Sequence, residues 1–140
     1  ASEINTNMPR YVVSRVLEAM NDLGKTLKGS KVLVLGVAYK PDIDDVRESP
    51  ALDVIGLLRK KGALVEYHDP YIPHIHHEYD GWRMDSVKDM MKSVKEADVV
   101  VVVTNHKVYD YKAVIESAKF VFDSRNATGK LGKFANVERL

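Results

Sequence analysis

Two short runs of consecutive apolar residues limit the folds open to this chain more than any other feature. Residues 31–35 (KVLVL) are followed directly by Gly36, and residues 98–104 (DVVVVVT) contain five valines in succession. A strand with one solvated face alternates apolar and polar residues, so an unbroken apolar run is typical of a strand covered on both faces. Such strands belong to parallel sheets flanked by helices.

Segments of helical periodicity separate these runs. Residues 48–61 predict a helix with Ser49 as its N-cap, Pro50 at its first position and Gly62 after its end. Strands that alternate with helices form right-handed βαβ units around a parallel sheet. We therefore predict an α/β fold: a Rossmann-like three-layer sandwich with a parallel sheet of about five strands, preceded by a linker helix. The other predicted helices are 9–27, 86–96 and 109–118, and the other predicted strands are 64–67, 82–84 and 119–122.

The first helix differs from the others because it precedes the first strand. Its apolar positions recur every three or four residues, which places them on one face. We interpret residues 1–29 as the end of an inter-domain central helix and a turn, and residues 30–140 as a ligand-binding domain. The start without methionine indicates a fragment, and an apolar face without its partner domain predicts an exposed patch or self-association.

Composition excludes several classes of function. With 21 basic and 20 acidic side chains the net charge is +1, so no surface for nucleic acid or membrane is indicated. The longest apolar run is too short to cross a bilayer, and no signal-peptide pattern is present. Cysteine is absent, which removes disulfides, thiolate metal sites and cysteine nucleophiles. These features are compatible with the cytoplasm, where we expect the protein.

The segment after the first predicted strand lacks a phosphate-binding fingerprint. A dinucleotide site needs G-x-G-x-x-G there, because the backbone must approach the pyrophosphate closely. Only Gly36 is present, and Val37, Ala38 and Tyr39 would block the usual cradle. The sequence therefore argues against a self-contained NAD site in this domain.

Tyr39 and Lys40 follow that glycine and suggest a different kind of site. An aromatic ring beside an ammonium group suits a stacked base and a phosphate, although an ordinary exposed loop lysine gives the same pattern. Arg125 follows the last predicted strand and would lie at the same sheet edge, so that two cations could meet a pyrophosphate. The alternative is that Arg125 pairs with Asp123 or another carboxylate.

Asp44, Asp45 and Arg47 precede the second helix. The two aspartates could hold Mg²⁺, but favourable charge at a helix N-terminus explains them better. The same dipole disfavours a cation, so Arg47 indicates a partner, either those carboxylates or an external phosphate.

Four histidines, His68, His74, His76 and His77, lie within ten residues. No ligand spacing such as H-E-x-x-H supports a zinc site, so we predict a surface loop over 71–81 and no metal site. Residues 104–106 (TNH) place polar side chains at the expected ligand edge.

Three segments together resemble a known family. GVAYKPDIDDVRESPAL, YHDPYIP and DSRNAT are similar, in order and spacing, to the C-terminal UDP-binding domain of the UDP-glucose/GDP-mannose dehydrogenase family. The upstream INTNMPRYVV resembles the end of the central helix that joins the family's middle domain to this one. Within the family, the sequences of these segments are most similar to the branch acting on UDP-N-acetylglucosamine.

The resemblance implies a two-step oxidation of a sugar C6 hydroxyl to a carboxylate with two NAD⁺. It places NAD on an N-terminal Rossmann domain and a catalytic cysteine in the middle region, so this chain would hold no catalytic residue and be inactive alone. By position, Tyr39, Lys40 and Arg125 match residues at the nucleotide sugar, and Arg47 matches an arginine that reaches the cofactor.

The partners we expect are a UDP-sugar, the N-terminal and middle domains, and further copies in a homo-oligomer that serves polysaccharide biosynthesis. The alternative function is a non-enzymatic Rossmann-like module that binds another nucleotide or a protein partner. This alternative is supported because the sequence contains no complete set of catalytic residues.

Overall fold

A computed structural model describes residues 2–38, 49–77 and 80–140, and for residues 2–7 it describes the backbone alone. The elements in these ranges largely follow the apolar runs and helical periodicities of the sequence. In chain order they are α1 (Ser2–Asp22), β1 (Lys31–Leu35), α2 (Pro50–Lys60), β2 (Leu64–His68), β3 (His74–His76), β4 (Arg83–Asp85), α3 (Met90–Glu96), β5 (Val99–Val102), α4 (Tyr111–Ser117), β6 (Val121–Asp123) and β7 (Val137–Arg139), with a 3₁₀ turn at Gly129–Leu131.

The main sheet has five strands in the order β2-β1-β5-β6-β7, and every neighbouring pair is parallel. Successive residues of β1 point to opposite faces: Val32 and Val34 join one apolar cluster, and Leu33 and Leu35 join the other. The first cluster includes residues of α1 and α2, and the second includes residues of α3 and α4. The unbroken apolar run is thus explained by helices on both faces, and the predicted Rossmann-like α/β sandwich is confirmed.

One member of the sheet differs from the prediction. The predicted strand near residue 83 exists as β4, but it pairs with β3 in a separate antiparallel hairpin. The fifth strand of the main sheet is β7, which pairs with β6. The prediction of a loop over 71–81 is therefore wrong at His74–His76. Each of these strands has three residues, too few to show a period in the sequence.

Helix α1 packs onto the domain instead of standing apart from it. Val12, Val13, Val16 and Met20 are at most 4% exposed and belong to the same cluster as β1 and α2. The predicted exposed apolar face is therefore wrong for these four residues, which pack in the cluster shared with α2, whereas Leu17 of the same helix is 40% exposed. The helix begins at Ser2, which places Pro9 inside it. Within the described ranges, none of the helices has both the length and the apolar character needed to cross a bilayer.

Candidate functional site

The carboxyl ends of four strands meet at one edge of the sheet. Leu35 at the end of β1 is aligned with His68 of β2 and Val102 of β5, and Val102 is aligned with Asp123 of β6. The segments that follow these residues therefore lie side by side. In open α/β sheets this edge is where ligands bind.

Gly36 allows two of these segments to approach each other closely. It has a φ of +86°, and a Cβ atom there would lie 2.6 Å from Cβ and 2.7 Å from the carbonyl oxygen of Thr104. Its N–H donates to the His68 carbonyl oxygen at 2.9 Å. The close approach that requires glycine at this position is thus between β1 and β5, within the domain itself.

The carboxylate of Asp69 joins the segments that follow β1, β2 and β5. Its Oδ2 accepts hydrogen bonds from the N–H groups of Val37 at 2.8 Å and Ala38 at 3.1 Å, and lies 2.8 Å from Nε2 of His106. Its Oδ1 accepts from the N–H of Tyr71 at 2.8 Å. The side chains of Asp69 and His106 are fully buried. A buried carboxylate is tolerated only with such a set of donors.

The same contacts determine whether the segment after β1 can bind a dinucleotide. In a Rossmann domain the pyrophosphate accepts from the amides after the first strand and from the N-terminus of the following helix. Here Asp69 already accepts from the amides of Val37 and Ala38. Helix α2 starts with Pro50, which has no N–H, and the Ser49 hydroxyl accepts from the amide of Ala51. The described residues therefore do not fit NAD in this cradle, which gives a structural reason for the sequence argument.

Aromatic and imidazole side chains extend this buried group. The hydroxyl of Tyr109 donates to the His68 carbonyl oxygen at 2.9 Å and also lies 2.9 Å from Nδ1 of His68. Because that hydroxyl has one proton, Nδ1 of His68 must be the donor in the second contact. Burial lowers the pKa of His68 and raises the pKa of Tyr109, so both are neutral at pH 7. The ring of Tyr71 meets His106 edge to face, with centroids 5.0 Å apart.

A second buried carboxylate shapes the loop after β6. Asp123 Oδ1 accepts from the N–H groups of Arg125 at 3.1 Å and Ala127 at 3.0 Å, and Oδ2 accepts from the N–H of Thr128 at 2.8 Å and from its hydroxyl at 2.6 Å. Arg139 of β7 donates from Nε to the Thr128 hydroxyl and from Nη2 to its carbonyl oxygen. The backbone of this loop is therefore fixed on both sides of Arg125.

The side chain of Arg125 takes no part in this network. It is exposed, and it forms no ion pair with any carboxylate in the ranges that the structure describes. Asp123 contacts only its backbone N–H, so the alternative in which the guanidinium pairs with Asp123 is excluded. The ends of β6 and β1 are separated by β5, which corresponds to roughly 10 Å across the sheet edge.

The other predicted site residues, Tyr39, Lys40 and Arg47, lie outside the described residues, as do Asp44 and Asp45. Their assignments stay predictions. The residues on both flanks of that segment are buried: Ala38 is 1% exposed and Ser49 is 4% exposed.

The histidines that are close in sequence occupy different parts of the fold. His68 lies at the sheet edge, whereas His74 and His76 are exposed on the hairpin. Nδ1 of His77 accepts from the N–H of Asp80, and its ring stacks on Trp82 with centroids 5.4 Å apart. Within residues 2–38, 49–77 and 80–140, no three His, Asp or Glu side chains are grouped so that they could hold a metal ion.

Sequence reasoning missed the roles of Asp69, Tyr109 and Asp123, and it placed His106 at this edge without its partner. One signal was available: Asp69 directly follows a strand, and Asp123 ends one. A carboxylate at the end of a buried strand must find donors in the neighbouring loops.

Comparison with known proteins supports the family resemblance found in the sequence. The family model described as UDP-glucose/GDP-mannose dehydrogenase family, UDP binding domain, matches residues 33–130. The chain is 36% identical over 110 residues to the UDP-N-acetyl-D-mannosamine dehydrogenase of Campylobacter jejuni, which covers 78% of this chain and 26% of that protein. It is 34% identical over 102 residues to the UDP-glucose 6-dehydrogenase of Rhizobium meliloti, covering 72% of this chain and 22% of that protein.

Solved structures give the same result for the fold. The NDP-N-acetyl-D-galactosaminuronic acid dehydrogenase of Methanosarcina mazei superposes with a TM-score of 0.74 at 30% identity, covering 99% of this chain and 30% of that one. The chain therefore spans less than a third of the length of each of these three proteins.

Proposed function

Since this chain belongs to the UDP-glucose/GDP-mannose dehydrogenase family, as its C-terminal UDP-binding domain, we propose that it binds the nucleotide of a UDP-sugar at the carboxyl edge of its sheet. In this proposal Arg125 pairs with a phosphate of the UDP, together with Lys40, and Tyr39 contacts the nucleotide sugar. Arg47 contacts the NAD cofactor, which another domain of the whole protein binds.

The observation that carries the proposal is the state of Arg125. A guanidinium held by a rigid loop, exposed and without a carboxylate partner among the described residues, is ready to bind an external anion. Arginine suits phosphate because its planar donors make two parallel hydrogen bonds. Because the loop is already fixed by Asp123, binding costs little ordering of the backbone.

For the whole protein we propose an NAD-dependent UDP-sugar 6-dehydrogenase that oxidises the sugar C6 hydroxyl to a carboxylate in the cytoplasm, as a homo-oligomer. Residues 1–29 would end its inter-domain helix, and residues 30–140 would form the UDP-sugar-binding domain. Two of the relatives are named for N-acetylated sugars, which supports a UDP-N-acetylhexosamine, with UDP-N-acetylglucosamine as our first choice and UDP-glucose as the alternative. The chain alone would be inactive, because it has no cysteine.

The binding proposal is tested by titrating UDP into the 140-residue chain by calorimetry and by ¹H–¹⁵N NMR. Arg125→Met should weaken binding about 10- to 100-fold, which corresponds to the loss of a charge-assisted hydrogen-bonded pair of about 1.5–3 kcal/mol. Arg10→Met is the matched control, because Arg10 is also exposed but lies on α1. The two variants have the same net charge, so a general effect of charge would appear in both.

Two results would count against the proposal. No perturbation at millimolar UDP would favour a module for another nucleotide or a protein partner, and equal weakening by Arg125→Met and Arg10→Met would remove Arg125 from the site. The substrate is decided separately, by assaying the full-length enzyme with UDP-glucose, UDP-N-acetylglucosamine and UDP-N-acetylmannosamine.

A further inference from the structure

The amides that bind an anion in a Rossmann domain bind an anion here as well, but it belongs to the protein. Asp69 Oδ2 lies 2.8 Å from the amide nitrogen of Val37 and 3.1 Å from that of Ala38. These are the first amides after Gly36, which follows β1, and a Rossmann domain binds a pyrophosphate at this position. The carboxylate therefore takes the position of a phosphate oxygen.

Ala38 is held on both sides of its α-carbon. Its N–H donates to Asp69, and its carbonyl oxygen accepts from the Thr104 hydroxyl at 2.9 Å. With both groups bound and the residue buried, the backbone of Ala38 is held in place. The next two residues in the sequence are Tyr39 and Lys40.

His106 contacts the same oxygen of the Asp69 carboxylate. Its Nε2 lies 2.8 Å from Asp69 Oδ2, and its side chain is fully buried. The segments after β1, β2 and β5 are far apart in sequence, and Asp69 with His106 joins them at one point.

We propose that Asp69 and His106 are positioning residues for the nucleotide site: the carboxylate replaces a phosphate in the Rossmann cradle and holds the backbone of Ala38, which precedes Tyr39 and Lys40 in the sequence. This inference rests on the proposed UDP-binding function. It implies that the amides of Val37 and Ala38 do not bind the phosphates of UDP, because Asp69 already accepts from both of them.

The test compares UDP affinity with thermal stability in a set of variants of the 140-residue chain. His106→Leu removes the donor to Asp69, and His106→Gln restores an N–H donor of similar reach. Thr104→Val is nearly isosteric and removes only the hydroxyl that binds the Ala38 carbonyl oxygen. Val114→Ala is the control for stability alone, because Val114 is buried in α4 within the other apolar cluster.

The expected result is that His106→Leu and Thr104→Val weaken UDP binding at least tenfold. His106→Gln should recover most of the affinity, and Val114→Ala should lower Tm with UDP affinity unchanged. The amide proton resonances of Val37 and Ala38 should move upfield in His106→Leu, because their shared acceptor is displaced. A structural role alone would not separate affinity from Tm in this way.

The proposal is overturned if UDP affinity follows Tm across all four variants, or if Thr104→Val and a folded His106→Leu bind UDP as the wild type does. Should His106→Leu not fold, Thr104→Val gives the same decision, because it alone among the remaining variants is expected to lose affinity. Failure of the wild-type chain to bind UDP would refute the proposed function itself, and this inference with it. Failure of this inference alone would leave wild-type binding and the Arg125→Met effect intact.

Discussion

Substituting Gly36 by alanine tests whether the sheet edge depends on the close approach of two backbones. Any residue other than glycine at a φ of +86° costs about 1–2 kcal/mol. The new Cβ would also meet backbone atoms of Thr104, its carbonyl oxygen at 2.7 Å and its nitrogen at 2.9 Å, so a strand end must move. Forcing such an overlap costs about 1–3 kcal/mol more. The expected loss in the free energy of unfolding is therefore about 2–5 kcal/mol.

Gly29→Ala provides a matched control. Gly29 has a similar φ of +80°, but no atom lies within 4 Å of the position that its Cβ would take. Its substitution should cost only the backbone part, about 1–2 kcal/mol. Both values are measured by urea unfolding, and in a chain of 140 residues each kcal/mol corresponds to about 3–4 °C in Tm. Equal losses in the two variants would refute the reasoning, because the contact with Thr104 would then have no energetic effect.

Three other predictions concern single residues. Burial, with a smaller contribution from His106, keeps the pKa of His68 below its ordinary 6.5, although Asp69 acts in the opposite direction. As the pH falls, His68 is therefore protonated in the unfolded chain before it is protonated in the folded chain, so its contribution to stability is complete above pH 6.5 and is lost as the pH drops towards the folded pKa. Urea unfolding at several pH values should show a smaller decrease in stability for His68→Gln than for the wild type. Asp123→Asn replaces an acceptor of two loop donors by an NH₂ group and should cost at least about 2 kcal/mol in urea unfolding while weakening UDP binding; unchanged affinity would separate the loop from the site. Gly56→Ala in α2, with open space at its Cβ, should raise stability by about 0.5–1 kcal/mol, and a lower Tm would contradict the packing described here.

The sequence predicts the layered fold well because that fold depends on local patterns. An apolar run such as residues 31–35 has to be covered on both faces, and Ser49-Pro50 marks a helix start through backbone chemistry alone. These signals lie within a few residues of the element that they define. The hairpin at residues 74–85 and strand β7 have no such signal, since three-residue strands are decided by their pairing partners.

The internal contacts of the site could not be predicted for a similar reason. The strand before Asp69 indicates that its carboxylate needs donors, but these lie 31, 32 and 37 residues away and no local pattern identifies them. The position of Arg125 at the sheet edge was predictable, because strand ends in a parallel sheet share one side. Its lack of an ion-pair partner among the described residues was not, since Asp123 could have bound the guanidinium and binds backbone amides instead.

Strand β7 contacts the loop that carries Arg125 at the ligand edge of the sheet. Its Arg139 holds the Thr128 backbone, and the N–H of Leu140 donates to the Asp123 carbonyl oxygen at 3.1 Å. Removing residues 137–140 would take away these contacts with the loop of Arg125, whereas the apolar cluster of α1, α2, β1 and β5 contains none of the removed residues. Loss of β7 should therefore be detected first as weaker nucleotide binding and only afterwards as lower stability.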